Sequence, residues 1–232
     1  MPEVFVMKLL LDEGQVGVIT GGDKPSAQIF NSVANGFHPT TNEELTTMVP
    51  IDGLTQPKAG EVPVVGFPNV NSCQGVLCVL KDGTMVGTHV PQASDEARLL
   101  QKMKEIIDQN GSGIDSMYVA SRNRSQTQET GGTPQEKAQM LGFTGKLRTF
   151  DTGVASKQDQ GIYVEFTPVG KQGQCLVEYK KDKKMHYEKE TLSTTDAKNR
   201  VRTAVSKYES RLHDDSNATK LHKASVKTRT VK

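Results

Sequence analysis

Asn71-Ser72-Cys73-Gln74-Gly75-Val76-Leu77-Cys78-Val79-Leu80-Lys81-Asp82-Gly83-Thr84-Met85-Val86-Gly87-Thr88-His89-Val90-Pro91 is the stretch on which the fold turns. Small polar residues lead into an apolar, β-branched run, then Asp82-Gly83, then a second such run. An Asp-Gly pair between two apolar runs signals a hairpin, because glycine accepts the positive φ that such turns need. Cys73 stands at the entrance of the hairpin and His89 near its exit, 16 positions later.

Whether the two meet depends on the turn. With Lys81, Asp82 and Gly83 as a three-residue loop, Leu80 pairs with Thr84. Cys73 then faces Pro91, and His89 is a diagonal neighbour on the same face, about 7–8 Å away at Cα. A two-residue loop shifts the pairing by one and sends His89 to the opposite face. The residues alone allow both.

The chain has 232 residues, 34% of them hydrophobic, and no Trp. That is a modest core for the length, as expected of a compact body with polar extensions. No run approaches the roughly 20 apolar residues of a membrane span. Met1-Pro2-Glu3 lacks the basic and apolar regions of a signal peptide. Cytoplasmic residence, or export without a cleaved signal into a target cell, fits both features. Cys73, Cys78 and Cys175 suggest neither a disulfide scaffold nor a zinc motif. The net charge is +2. From Lys171 onward, however, there are 16 Lys and Arg against 8 Asp and Glu, or +8, and the rest carries 13 against 19, or −6. A basic end is either solvated or docks electrostatically on an acidic partner. It lacks the interleaved aromatics of single-strand nucleic-acid binders.

Around the hairpin, apolar patterning predicts strands over Val4–Leu11, Gln15–Thr20 and Val62–Phe67. Pro25–Ala34 reads as a short helix, with Ile29, Phe30 and Val33 apolar. His38–Glu61 reads as loop, with at most one helical turn at Thr41–Met48, where Thr41 and Glu44 form a capping-box pattern. Downstream, Ser94 caps a helix with Asp95 and Glu96 in its first turn and Leu99, Leu100, Met103, Ile106 and Ile107 on one face. Met117–Ser121 is a strand and Arg122–Thr133 a polar connection. Thr133-Pro134-Gln135-Glu136 opens a second helix that stops at Gly142. Lys146–Phe150 is a strand, Asp151-Thr152-Gly153 a turn, and Gly161–Pro168 with Gln174–Tyr179 a second hairpin. Lys180–Lys184 is a charged break, Thr194–Leu212 can form a helix, and Asp214–Lys232 lacks a core pattern and reads as disordered.

Cys78 and Cys175 lie in apolar strands and fit the common fate of a cysteine, a small buried hydrophobe. Cys73 has polar, small neighbours at a loop-to-strand junction, where a nucleophile is also possible. His89 can serve as its imidazole, lowering the thiol pKa and protonating a departing amine, or can simply bond to backbone. His186 is a weaker competitor in the basic break, and His38, His213 and His222 read as solvent-facing.

The run Ser72-Cys73, strand, turn, strand, His89 resembles the chemoreceptor glutamine deamidase CheD and the bacterial toxins sharing its core, such as the cytotoxic necrotizing factor. The similarity to CheD extends through the helix, strand, helix, Asp151-Thr152-Gly153 turn and final hairpin, covering residues 62–180. The resemblance implies an α+β fold, with a mixed, sandwich-like β-sheet core flanked by helices. It implies a cysteine-dependent hydrolase that converts a protein glutamine to glutamate through Cys73 and His89, with backbone groups at Ser72 and Gln74 at the oxyanion. No cofactor or metal is needed; the partner is a glutamine-bearing protein. Phe67 stands where CheD has a threonine that orients the histidine; in the necrotizing factor a backbone carbonyl takes that role. Residues 1–61, carrying strands, a short helix and a polar loop, and the basic residues 181–232 have no counterpart, which favours an effector or toxin-like relative over a chemotaxis enzyme. Another amidohydrolase or a transglutaminase on the same core is the enzymatic alternative. A binding module with a structural Cys73 and a basic contact surface is the non-enzymatic one.

Overall fold

The computed structural model describes residues 6–20, 26–37, 39–40, 44–51, 62–91, 96–122, 132–154, 161–170, 173–182 and 221–232. The hairpin lies at the centre of the larger of two sheets. Its strands are β6 (Gln74–Leu80) and β7 (Met85–Val90). Beyond β7 come β2 (Gln15–Ile19), β3 (Ala27–Phe37) and β4 (Glu44–Ile51); beyond β6 come β8 (Ile114–Ser121), β9 (Gly145–Asp151) and β13 (Val226–Val231). The smaller sheet runs β1 (Val6–Leu10), β5 (Val62–Phe67), β10 (Gly161–Pro168), β11 (Cys175–Asp182) and β12 (His222–Lys223). Both sheets are mixed: β1 with β5 and β8 with β9 are parallel, and the other pairings are antiparallel. Among the described residues, two α-helices, α1 (Glu96–Asn110) and α2 (Pro134–Met140), accompany the sheets, which dominate the fold. Among the described residues no helix is long and apolar enough to cross a membrane.

Strand alternation builds two apolar layers from one sheet. Leu77, Val79, Met85, Tyr118 and Phe150 face the smaller sheet and meet Leu9, Leu11, Phe67, Ile162, Val164 and Phe166. Val76, Cys78, Leu80, Val86 and Val90 face the other way, onto Leu99, Leu100, Met103 and Ile107 of α1 and Ala138 of α2. Each fully buried Leu, Ile, Val or Phe in these layers contributes about 1.5–3 kcal/mol. The expected box opens α2: Thr133 Oγ1 accepts from Glu136 N and Glu136 Oε2 accepts from Thr133 N. The buried Lys137 Nζ reaches Glu96 Oε1 at 2.5 Å and ties the two helices together.

Four expectations change. Pro25–Ala34 is not a helix: residues 27–34 belong to β3, which pairs with both β2 and β4. Ile29 enters the layer between the sheets while Phe30 packs toward the helices, so the adjacent apolar pair serves two layers rather than one helical face. The loop at His38–Glu61 contains β4, and no helical turn forms over residues 44–48. Pro50 is tolerated there because β4 lies at the end of its sheet, where one side of the strand needs no ladder bond. The charged break starts late, since β11 runs through Lys180 and Lys181 to Asp182. The end of the chain is ordered over residues 221–232: β12 pairs with β11 and β13 with β9. Ser94, Asp95, residues 123–131 and the helix expected at Thr194–Leu212 lie outside the described residues.

Candidate active site

The turn resolves the register. Leu80 N donates to Thr84 O at 2.8 Å, and Gly83 N donates to Leu80 O at 2.9 Å. Gly83 sits at φ 87°, the left-handed region that favours glycine, and Asp82 Oδ1 accepts from Thr84 N at 2.9 Å. These bonds define the three-residue loop. The ladder then runs from Val79 opposite Met85 to Gly75 opposite His89 and Gln74 opposite Val90. The ladder ends there, with Cys73 in the bend just before it. His89 looks toward the smaller sheet, where its ring meets Phe67; strand alternation carried one residue past the ladder assigns Cys73 to the same face, as the three-residue loop predicts.

Two positions on the face that His89 occupies carry no side chain, which leaves space for the Phe67 ring. A Cβ on Gly75 would lie 2.8 Å from Phe67 Cγ, and one on Gly87 would lie 3.2 Å from Phe67 Cζ. The Phe67 ring of β5 fills the space and meets the His89 ring edge-on, with centroids 6.0 Å apart. Phe67 thus packs against the imidazole without a hydrogen bond to offer.

Orientation of His89 comes from the tight turn between β1 and β2. His89 Nδ1 lies 2.8 Å from Leu11 O, and Gly14 N donates to His89 O at 2.9 Å. A carbonyl can only accept, so Nδ1 carries the proton and Nε2 presents its lone pair. Nε2 is buried and has no hydrogen-bond partner among the described residues. Burial holds the imidazole pKa below its ordinary value, against smaller opposing effects of the Leu11 carbonyl and Glu13. The ring is therefore neutral at pH 7, ready to take a proton rather than already holding two.

Cys73 closes the bend at residues 71–73 and is 3% exposed. The segment before it is fastened at several points. Asn69 adopts φ 55°, which asparagine tolerates better than most residues. Val70 N donates to Ile162 O at 2.8 Å, and Arg122 Nη1 donates to Asn71 Oδ1 at 2.8 Å. Ser72 lies in the bend, half-buried. Gln74 begins β6, pairs with Val90 and Ser121, and by alternation belongs to the face opposite Cys73.

The other cysteines are poor nucleophiles. Burial pushes the Cys78 thiol far above its ordinary pKa and that of Cys175 up to about 12. His222 is exposed on β12, and His38, His186 and His213 lie outside the described residues. Leu11 and Arg122, which contact His89 and the segment before Cys73, were not singled out in the sequence. A backbone carbonyl leaves no mark in a sequence, and Arg122 looks like any charge in a polar connection.

No family model matches the chain, and no curated protein does. Among solved structures, the C-terminal domain of CNFy from Yersinia pseudotuberculosis aligns over 76% of this chain and 84% of its own length, at 8% identity and a TM-score of 0.30. A likeness that weak carries no weight for the chemistry, which rests on the residues of the site.

Proposed function

We propose that the chain is a cysteine-dependent amidohydrolase that deamidates glutamine side chains of a protein substrate. The observation that carries this reading is His89. Its Nδ1–H is committed to the Leu11 carbonyl, leaving a buried Nε2 with no hydrogen-bond partner among the described residues, on the strand paired with the one that Cys73 leads into. In the proposed cycle Nε2 takes the thiol proton as Sγ attacks the carboxamide carbon. Backbone N–H groups near Ser72 and Gln74 receive the oxyanion, an interaction worth about 3–4 kcal/mol of barrier. The imidazolium returns its proton to the leaving nitrogen, and ammonia departs from a thioester. Water, with His89 as base, then releases glutamate and restores the thiol. In this reading residues 62–180 carry the reacting groups, and residues 1–61 supply the carbonyl that orients the imidazole.

The exposed Lys227 and Arg229 on β13 favour a second, non-enzymatic reading, in which a basic sheet edge binds an acidic partner. One experiment separates them. Wild type and Cys73→Ser are incubated with a cell lysate while ammonia and peptide masses are followed. The enzyme reading expects Cys73-dependent ammonia and shifts of about +1 Da on glutamine peptides, as amide-to-acid conversion demands. Incorporation of an added amine instead of water would indicate a transglutaminase. Identical traces from the two proteins would overturn the enzyme reading.

A further inference from the structure

Arg122 follows the last residue of β8, at a crossing of three elements. Its neighbour Ser121 pairs with Gln74 of β6 on one side and with Asp151 of β9 on the other. The guanidinium leaves this junction toward the segment that carries the cysteine, where Nη1 meets Asn71 Oδ1 at 2.8 Å. The stem of Arg122 rests on the turn after β9. A Cβ on Gly153 would lie 3.2 Å from Arg122 Cγ and 3.0 Å from Asp151 Oδ1, so glycine there lets the stem pass. The turn is itself fixed, because Asp151 Oδ1 accepts from Gly153 N at 2.8 Å. Val70, the residue before Asn71, is held from the smaller sheet by Ile162.

We infer that Arg122 is a positioning residue: it fixes Asn71 and, through it, the bend that presents the Cys73 thiol to His89. The inference rests on the deamidase reading for its purpose, and on geometry alone for its effect on Cys73. It also gives the Asp151-Thr152-Gly153 turn a task, as the support on which the Arg122 stem lies. The mechanism adds no chemical step. Its contact with Asn71 places a charged donor on the segment before Cys73, where it restricts the bend to one arrangement.

The test uses the whole chain and two readouts. Iodoacetamide labelling of Cys73, followed by peptide mapping from pH 6 to 9, reports the bend whatever the reaction. Ammonia release from carbobenzoxy-Gln-Gly reports the reaction. Arg122→Ala and Asn71→Ala should each change the Cys73 labelling rate and lower kcat with little change in KM. Effects on the order of 10–100-fold are expected where a reacting group is misplaced by about an ångström. The double variant should be no worse than either single one, and Arg122→Lys should recover part of the loss. Folded single variants that label and turn over at the wild-type rate would overturn the inference, as would strictly additive losses. Asn71→Ala keeps the test open should Arg122→Ala fail to fold. If wild type releases no ammonia yet Arg122→Ala changes labelling, the deamidase reading falls and the positioning role stands.

Discussion

Leu11 and His89 stand 78 residues apart and are joined by one hydrogen bond, from Nδ1 to the Leu11 carbonyl oxygen at 2.8 Å. It fixes the tautomer of an imidazole that is buried on all sides. In an unfolded chain this imidazole protonates near pH 6.5, its ordinary value, whereas burial lowers the folded value. The unfolded state therefore binds the extra proton first. The stability tied to His89 is present above pH 6.5 and is lost as pH falls toward the folded pKa. Urea unfolding at pH 7.5 and pH 5 should show wild type losing more stability than His89→Asn. Nitrogen-15 NMR should find the proton on Nδ1.

Asp12 gives a pH dependence of opposite sign. Burial, with Glu13 adding to it, raises its carboxyl from 3.8 to about 6. A raised acid favours the folded state below pH 3.8, and that advantage disappears as pH rises through about 6. Asp12→Asn should thus stabilise the protein at pH 7 by about 1–3 kcal/mol, since each tenfold change in proton affinity is worth about 1.4 kcal/mol. The gain should vanish below pH 4. Equal stabilisation at both pH values would show that charge is not the cause.

Gly75 and Phe67 should behave as a coupled pair. Gly75→Ala drives a Cβ to 2.8 Å from Phe67 Cγ. Overpacking of this kind costs about 1–3 kcal/mol. Phe67→Leu makes a modest cavity alone but should relieve the clash, so the double variant should be more stable than the two single losses predict. Additive thermal shifts would mean that the ring moves away freely.

Residues 226–231 should resist hydrogen exchange. Their ladder with β9 runs from Val226 opposite Phe150 to Val231 opposite Gly145. Exchange measured by mass spectrometry should find this peptide protected, whereas a disordered end exchanges within seconds. Removal of residues 221–232 should uncover the β9 edge and promote aggregation, because an unpaired strand edge recruits other chains.

The parts of the fold legible in the sequence are those specified by local chemistry. The Asp82-Gly83 turn and the Thr133–Glu136 box are read from residues a few positions apart, and both form as expected. β3 and β4 were hidden because the choice between helix and strand was made by distant partners, β2 among them. β13 was hidden because Lys227, Thr228, Arg229 and Thr230 are exposed and show no apolar alternation. Within the site, Cys73 and His89 stood out as reactive side chains. The register that the proposed pairing needs followed only from the length of the turn, and the carbonyl bonded to His89 only from the path of β1.

The loop of Lys81, Asp82 and Gly83 has a consequence for recognising kin. It lies at the far end of the hairpin, about 7 residues or some 23 Å from Cys73 at 3.3 Å per residue. In the proposed site, what sets the thiol and imidazole on one face is the cross-strand partnering of Gly75 with His89, not the count of residues between them. A chain with a longer tip, closed over the same Leu80–Thr84 bond, would keep the site intact while its cysteine and histidine drifted apart in sequence. A search that fixes the gap at 16 would pass over it. One that asks for a cysteine at a strand entrance, an unbroken ladder and a histidine across from the second strand residue would not.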